Sequence, residues 1–223
     1  MELILDQQIF SHALGKIVCV GRNYAAHAKE LNNPIPSSPI LFIKPASSAV
    51  PFATDFSIPK DQGSVHHELE IAILIGSTLS HADTEQVAAS IAGIGLGLDL
   101  TLRDVQDQLK EKGHPWERAK SFDGACPLTE FVSVSLVSPD DWQSIALRLK
   151  KNGQLQQQGS SADMLFPILP LIAHMSEHFS LQPGDVILTG TPAGVGPLAV
   201  GDSLLAELSL GNNVVFTCES AVL

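Results

Sequence analysis

Two carboxylates stand two residues apart in His66-His67-Glu68-Leu69-Glu70, just ahead of the apolar run Ile71-Ala72-Ile73-Leu74-Ile75. Side chains alternate across a strand, so in an extended chain Glu68 and Glu70 share one face and Leu69 takes the other. Like charges about 4 Å apart repel by roughly 1 kcal/mol in water and about 4 kcal/mol nearer a protein interior. A divalent cation is the simplest agent to neutralise such a pair on an apolar strand, and oxygen donors favour Mg²⁺, Mn²⁺ or Ca²⁺. A third carboxylate, Asp99, lies at the end of an alternating segment. Ile94, Leu96, Leu98 and Leu100 make one face of it, and Gly93, Gly95, Gly97 and Asp99 the other. Glycine inside a strand pattern marks close approach of another backbone or a ligand. The expectation is that Glu68, Glu70 and Asp99 converge on one metal ion. The plainer alternatives are a solvated strand face for the glutamates and sheet packing for the glycines. His66 and His67 suggest zinc, but no further His or Cys follows at finger spacing. The glycines lack the spacing and the following helix of a dinucleotide fingerprint.

His27 and Glu30 are three residues apart on an expected helix and so share a face. A carboxylate that orients an imidazole raises its basicity, which suits a general base; an ordinary surface pair is the alternative. Arg22, Lys44 and Lys120 are cations beside strand ends or in the Arg118-Ala-Lys-Ser-Phe-Asp123 segment, where they can be solvated or can serve a carboxylate substrate. Leu188-Thr189-Gly190-Thr191-Pro192 runs from a strand into a glycine turn that can offer a hydroxyl and backbone N–H groups to an anion. It lacks the lysine of a Walker motif.

These groups need a scaffold, and 223 residues suffice for one domain with a sizeable core. Only 17% of residues are charged against 44% hydrophobic, which points to a buried subunit interface. The net charge of −11 argues against nucleic acid as a partner. Three cysteines without paired spacing argue against a disulfide framework and fit a reducing, cytoplasmic setting. The N-terminal residues carry Glu2 and Asp6 and read as no signal peptide, and no apolar run reaches membrane-spanning length.

Strands are expected at 16–20, 40–43, 68–75, 91–100, 130–137, 145–151, 186–188, 203–209 and 214–219. Asn152-Gly153 is a hairpin turn signal. Helices are expected at 22–31, with Asn23 as cap, at 82–90, from a Thr101-x-x-Asp104 capping box through Leu109, and from Ser160-Ser161-Ala-Asp163 onward to Phe179, interrupted at Pro170. Residues 111–124 read as loop. The Pro- and Ser-rich stretch 32–39 is expected to form, with the preceding helix, a lid over 22–39. Strands outnumber helices and few connections resemble βαβ crossovers, which predicts a β-rich α+β domain over 1–223, with 1–15 as an N-terminal extension.

Taken in order, Gly21-Arg-Asn-Tyr-Ala-Ala-His27, Leu41-Phe-Ile-Lys44-Pro, His66-His-Glu-Leu-Glu70, Asp99-x-x-x-Arg103-Asp-Val-Gln106, Ala119-Lys-Ser-Phe-Asp123 and Leu188-Thr-Gly-Thr-Pro-x-Gly-Val-Gly196 resemble the fumarylacetoacetate hydrolase family. The likeness runs from about Gly15 to Cys218 and is greatest to the short single-domain acylpyruvate hydrolase and oxaloacetate decarboxylase or tautomerase type. It implies a mixed β-sandwich roll and a homodimer. It implies Mg²⁺ or Mn²⁺ on Glu68, Glu70 and Asp99, a His27–Glu30 dyad on a lid, Lys120 stabilising enolate charge, and Arg22, Lys44, Gln106 and Thr189 lining a substrate site. The chain is too short for the namesake's separate N-terminal domain, and no residue is assigned to that enzyme's fourth metal-binding carboxylate, which argues against fumarylacetoacetate itself. The implied activity is metal-dependent C–C cleavage of a short 2-oxo acid such as an acylpyruvate, or decarboxylation of oxaloacetate, through an enolate. The alternatives are a keto–enol tautomerase or isomerase of oxaloacetate or a 2-hydroxy-dienoate, and a non-catalytic small-acid binding protein.

Overall fold

The computed structural model describes residues 1–31, 34–137 and 141–223. Asn32 and Asn33 of the expected lid lie outside the described residues.

A mixed sheet of eight strands carries the site. Its order is Ile40–Lys44, Ile17–Gly21, Val186–Leu188, Leu69–Ile75, Ile91–Leu98, Cys126–Leu128 and Ala49–Pro51, with Val132–Ser133 also paired to Ile91–Leu98. Two of these pairings are parallel, Ile17–Gly21 with Val186–Leu188 and Cys126–Leu128 with Ala49–Pro51. A second, antiparallel sheet has the order Gln154–Ser160, Ile145–Lys151, Ser203–Leu210, Asn213–Ala221. A three-stranded sheet joins Gly196–Pro197, Val65–His67 and Thr101–Leu102. This is the β-rich mixed α+β architecture that the strand count predicts. No helix among the described residues is long and apolar enough to cross a membrane.

The Leu69–Ile75 strand is buried throughout because both its faces are covered. Ile71, Ile73 and Ile75 pack with Leu147, Leu149, Ala206 and Leu208 of the second sheet, while Ala72 and Leu74 pack with Ile17, Cys19, Val186 and Leu188. Glu70 has the parity of Ala72 and Leu74, so the carboxylates sit where that second cluster ends. The glycine face of Ile91–Leu98 is covered by protein, as the packing alternative has it. A Cβ at Gly95 would lie 2.9 Å from the Glu130 carbonyl oxygen, and one at Gly97 would lie 2.8 Å from the Leu128 and Leu188 side chains. The close approach is therefore that of the 127–132 segment together with the Leu5 and Leu188 side chains.

Several local expectations give way to tertiary contacts. The Thr101 hydroxyl donates to the Asp99 carbonyl, and the Asp104 carboxylate accepts from Ser64 N, so no capping box forms and the helix runs Arg103–Glu111. Asn23 caps nothing: its amide donates to the carbonyls of Phe166 and Thr189 and its oxygen accepts from Phe166 N, while the helix runs Ala25–Glu30 behind Tyr24. Within 111–124 lies a one-turn helix, Glu117–Lys120. The strand expected at 130–137 shortens to Val132–Ser133 and passes into a 3₁₀ turn, Val134–Leu136. Ser161–Asp163 is likewise a 3₁₀ turn, and the following helix, Ile168–His178, contains Pro170 as its third residue, where no intrahelical N–H bond is lost. The Asn152-Gly153 hairpin forms as predicted, both residues having positive φ (52° and 75°). Residues 1–15 contribute a two-stranded hairpin, Ile4–Leu5 with Gln8–Ile9, whose Leu3 is buried.

Candidate active site

The antiparallel pair Leu69–Ile75/Ile91–Leu98 sets the carboxylates. Leu69 pairs with Leu98 and Glu70 with Gly97, and the ladder continues one step further through Asp99 N donating to Glu68 O at 2.8 Å. Glu68, Glu70 and Asp99 are 5%, 1% and 1% exposed, and each offers one oxygen within 4.8 Å of the others. Two oxygens on one Mg²⁺- or Ca²⁺-type ion, each 2.0–2.6 Å from it, lie at most about 5 Å apart, so the three fit a shared hard cation.

Cations surround them. Lys120 Nζ donates to Glu68 Oε2 at 2.8 Å and to Asp99 Oδ2 at 2.6 Å, and lies 5.4 Å from the Phe42 ring centroid. Arg103 donates to Glu68 Oε1 and, at 2.6 Å, to Gln106 Oε1. Lys44, fully buried, lies beneath Asp99. Its Nζ is 2.8 Å from Asp99 Oδ1 as an ion pair, but its hydrogen bonds go to the carbonyls of Leu100, Lys120 and Ala125. Asp99 Oδ1 is thus buried without a hydrogen bond. Glu70 has no ion pair among the described residues; its Oε2 accepts from Gly190 N at 2.5 Å. A dication fits this set because it would serve the two oxygens least provided for.

Burial raises the Glu68 carboxyl, but Lys120 and Arg103 outweigh it and hold the group well below the usual carboxylate range. Burial, together with Asp99 and Glu68, pushes Glu70 well above that range. Lys120 loses hydration by burial, yet Asp99 and Glu68 raise its pKa and keep it an ammonium. Burial lowers the His27 imidazole, partly offset by Glu68 and Glu30, so the ring is biased toward its neutral form.

His27 Nδ1 lies 3.4 Å from Glu30 Oε2. Glu30 is tied down from a distant loop, its Oε1 accepting from Gly194 N at 3.0 Å. Gly194 has φ +96°, and a Cβ there would lie 2.0 Å from the Gln156 carbonyl oxygen, so only glycine fits.

A cleft of about 410 Å³, its open mouth included, is lined by Glu68, Glu70, Asp99, Lys120, His27, Arg22 and Gln106. Arg22 holds a left-handed backbone (φ 60°), a sparsely populated conformation for a non-glycine residue. Of the other residues singled out in the sequence, Lys44 is buried behind the cleft wall, and Glu30 is exposed beside the cleft, in the neighbouring pocket lined by His66, Arg103 and Lys110. The Thr189 hydroxyl donates to Ile71 O at 3.0 Å, and the cleft wall there is Thr191.

Arg103, Lys110, Trp116 and Thr191 also line the cleft, and none was assigned a role from sequence. Arg103 follows Asp99 by four residues, a spacing that could have drawn notice. Gln157 has no such signal. It arrives from the second sheet, where its Oε1 accepts from Leu69 N at 2.9 Å and lies 3.0 Å from His67 Nδ1, and its amide donates to Thr191 Oγ1 at 2.7 Å. It braces the backbone between the two glutamates.

The family model described as fumarylacetoacetate (FAA) hydrolase C-terminal matches residues 16–219. The oxaloacetate tautomerase YcgM of Escherichia coli (strain K12) is 51% identical over 196 residues, 88% of this chain and 89% of that protein. A crystal structure from Oleispira antarctica superposes at TM-score 0.98 with 83% identity, covering 100% of both chains. The fumarylpyruvate hydrolase from Pseudomonas aeruginosa, solved in complex with Mn²⁺ and pyruvate, is 31% identical at TM-score 0.89, over 100% of this chain and 95% of that one. The chain belongs to the fumarylacetoacetate hydrolase family of enzymes.

Proposed function

We propose that this chain is a divalent-metal-dependent enzyme that interconverts the keto and enol forms of oxaloacetate or a closely related short 2-oxo acid. The observation that carries the reading is the buried Glu68–Glu70–Asp99 set, with Lys120 Nζ 2.6–2.8 Å from two of its members and His27 on the same cleft. The kinship to a protein named as an oxaloacetate tautomerase supports the substrate.

Glu68, Glu70 and Asp99 would hold Mg²⁺ or Mn²⁺, which supplies Lewis-acid stabilisation to negative charge on the 2-oxo oxygen. The remaining work falls to side chains. Arg103 and Lys120 add positive charge where a 2-oxo acid presents its carboxylate and oxo oxygen. Arg22 and Lys110, on the same cleft, suit the second carboxylate of a four-carbon acid. Glu30 accepts a hydrogen bond from Nδ1–H of His27, which leaves Nε2 as the base. His27 takes a proton from C3; the C–H bond breaks, C2=C3 forms, and the imidazolium so made gives a proton to the oxygen on C2, which completes the enol and restores the neutral base. The reverse direction uses the same groups. Lys44 and Gln157 position Asp99 and the Leu69 backbone, and Thr189 anchors the strand end.

A second reading is C–C cleavage of an acylpyruvate, or loss of CO₂ from oxaloacetate, through the same enolate. The neighbour named as a fumarylpyruvate hydrolase and solved with pyruvate favours it. A metal-replete preparation given enol-enriched oxaloacetate separates the two by NMR. The tautomerase reading expects rapid enol-to-keto conversion with the four carbons retained; prompt pyruvate formation at the same rate supports cleavage, and no acceleration of either process refutes both.

A further inference from the structure

The Ile168–His178 helix ends in His174-Met-Ser-Glu177-His178, and none of these residues lines the carboxylate cleft. His174 and His178 are four residues apart and Glu177 three from the first, so all three side chains meet over the last turn. Each offers one ligand atom, and these atoms lie within 4.8 Å of one another. The two imidazoles stand edge to face, centroids 4.8 Å apart at 83°, and His174 Nδ1 is 3.5 Å from Glu177 Oε2. Two nitrogens held 2.0–2.1 Å from one ion at a tetrahedral angle are about 3.4 Å apart, a separation that i, i+4 rings reach by small side-chain rotations.

We propose that His174, Glu177 and His178 form a second metal site, selective for a borderline transition-metal ion such as Zn²⁺. Its donors are two imidazoles and one carboxylate, whereas the Glu68–Glu70–Asp99 set offers oxygen alone. Imidazole sites favour Zn²⁺, Cu²⁺ and Ni²⁺, and all-oxygen sites favour Mg²⁺ and Mn²⁺, so the two centres sort metals by ligand chemistry. The last turn of the helix adds to the attraction, because its free carbonyls carry the negative end of the helix dipole. The opposite face of the helix is fixed: Leu171, Ile172 and Met175 are buried, and Ser176 Oγ accepts from Ala82 N and donates to Ala173 O. The donors therefore sit on a rigid element. Three protein ligands leave a fourth position for water.

The test is zinc binding to the whole protein by isothermal titration in millimolar Mg²⁺, comparing wild type with H178N, H174N and E177Q. Wild type is expected to bind one Zn²⁺ more than H178N or H174N does, or to bind that equivalent at least about tenfold more tightly, since even outer-shell changes cost metal sites 10–100-fold. Turnover with Mg²⁺ should be unchanged in all three variants, and their melting temperatures without zinc should match wild type, which excludes misfolding as the cause. Equal stoichiometry and affinity in wild type and both histidine variants would overturn the site. E177Q binding as tightly as wild type would overturn the three-donor arrangement.

Discussion

The backbone N–H of Asp99 donates to the carbonyl of Glu68 at 2.8 Å, which extends the central antiparallel ladder one step beyond its last residue pair. This bond ties two of the three carboxylate-bearing residues together through the main chain, and Lys120 bridges the same two through their side chains. The spacing of the acids is therefore a property of sheet register. A one-residue slip would send Glu70 to the opposite face.

Lys44→Met should be strongly destabilising. Lys44 is fully buried; its ammonium is paired to Asp99 Oδ1 and donates to the carbonyls of Leu100, Lys120 and Ala125, so replacing it removes the donor of three buried carbonyls and leaves Lys120 as the remaining cation on Asp99. Breaking such a pair costs about 3–5 kcal/mol, whereas removing both charges costs much less. Urea unfolding of the metal-free protein checks this: K44M should lose stability of that order, and K44M/D99N should recover only part of it, because the carbonyls of Leu100, Lys120 and Ala125 still lack the Lys44 donor. Equal stability of K44M and wild type would show that the pair does not hold the site.

Gly194→Ala should separate catalysis from metal binding. At φ +96°, with the new Cβ meeting the Gln156 carbonyl, the loop must shift and its N–H must leave Glu30. The strain is about 1–3 kcal/mol. The expected result is a lower kcat with unchanged Mn²⁺ affinity, because Glu30 orients His27 and touches no metal ligand. An unaltered kcat would remove Glu30 from the mechanism.

The pH profile should report His27. A base works in its neutral form, and burial lowers the pKa of this imidazole. The rise of kcat/KM with pH should therefore have its midpoint below the ordinary histidine value of about 6.5, with a plateau at neutral pH. H27Q should lose that limb together with about 10²–10⁴ in kcat. A midpoint above 7, or an unchanged limb in H27Q, would assign the base elsewhere.

Much of this was legible in the chain because strand alternation is a strict code. Parity alone put Glu68 with Glu70 and Asp99 with the glycines of its own strand, while their meeting depends on the register that pairs Leu69 with Leu98 and Glu70 with Gly97; the long apolar strands carried their own boundaries. What alternation cannot show is which partner covers a face: the glycines of Ile91–Leu98 announced a close approach without naming the 127–132 segment. Local motifs failed where distant groups outbid them. Thr101 and Asp104 have capping-box spacing, yet Ser64 and the Asp99 carbonyl take their side chains. Asn23 was claimed by Phe166 and Thr189 in the same way. Gln157 was invisible because its role arises only when the second sheet meets the first, across 88 residues from Leu69.

Direct Mn²⁺ titration of wild type and Glu70→Gln, followed by electron paramagnetic resonance and by turnover on oxaloacetate, tests the three-carboxylate centre most directly. Gln keeps the size of Glu70 and removes its charge. Wild type should bind one Mn²⁺ in the cleft; E70Q should bind at least about 100-fold more weakly and lose activity while keeping the wild-type melting temperature of the metal-free protein. An E70Q protein that binds Mn²⁺ as wild type does and still turns over would contradict the assignment.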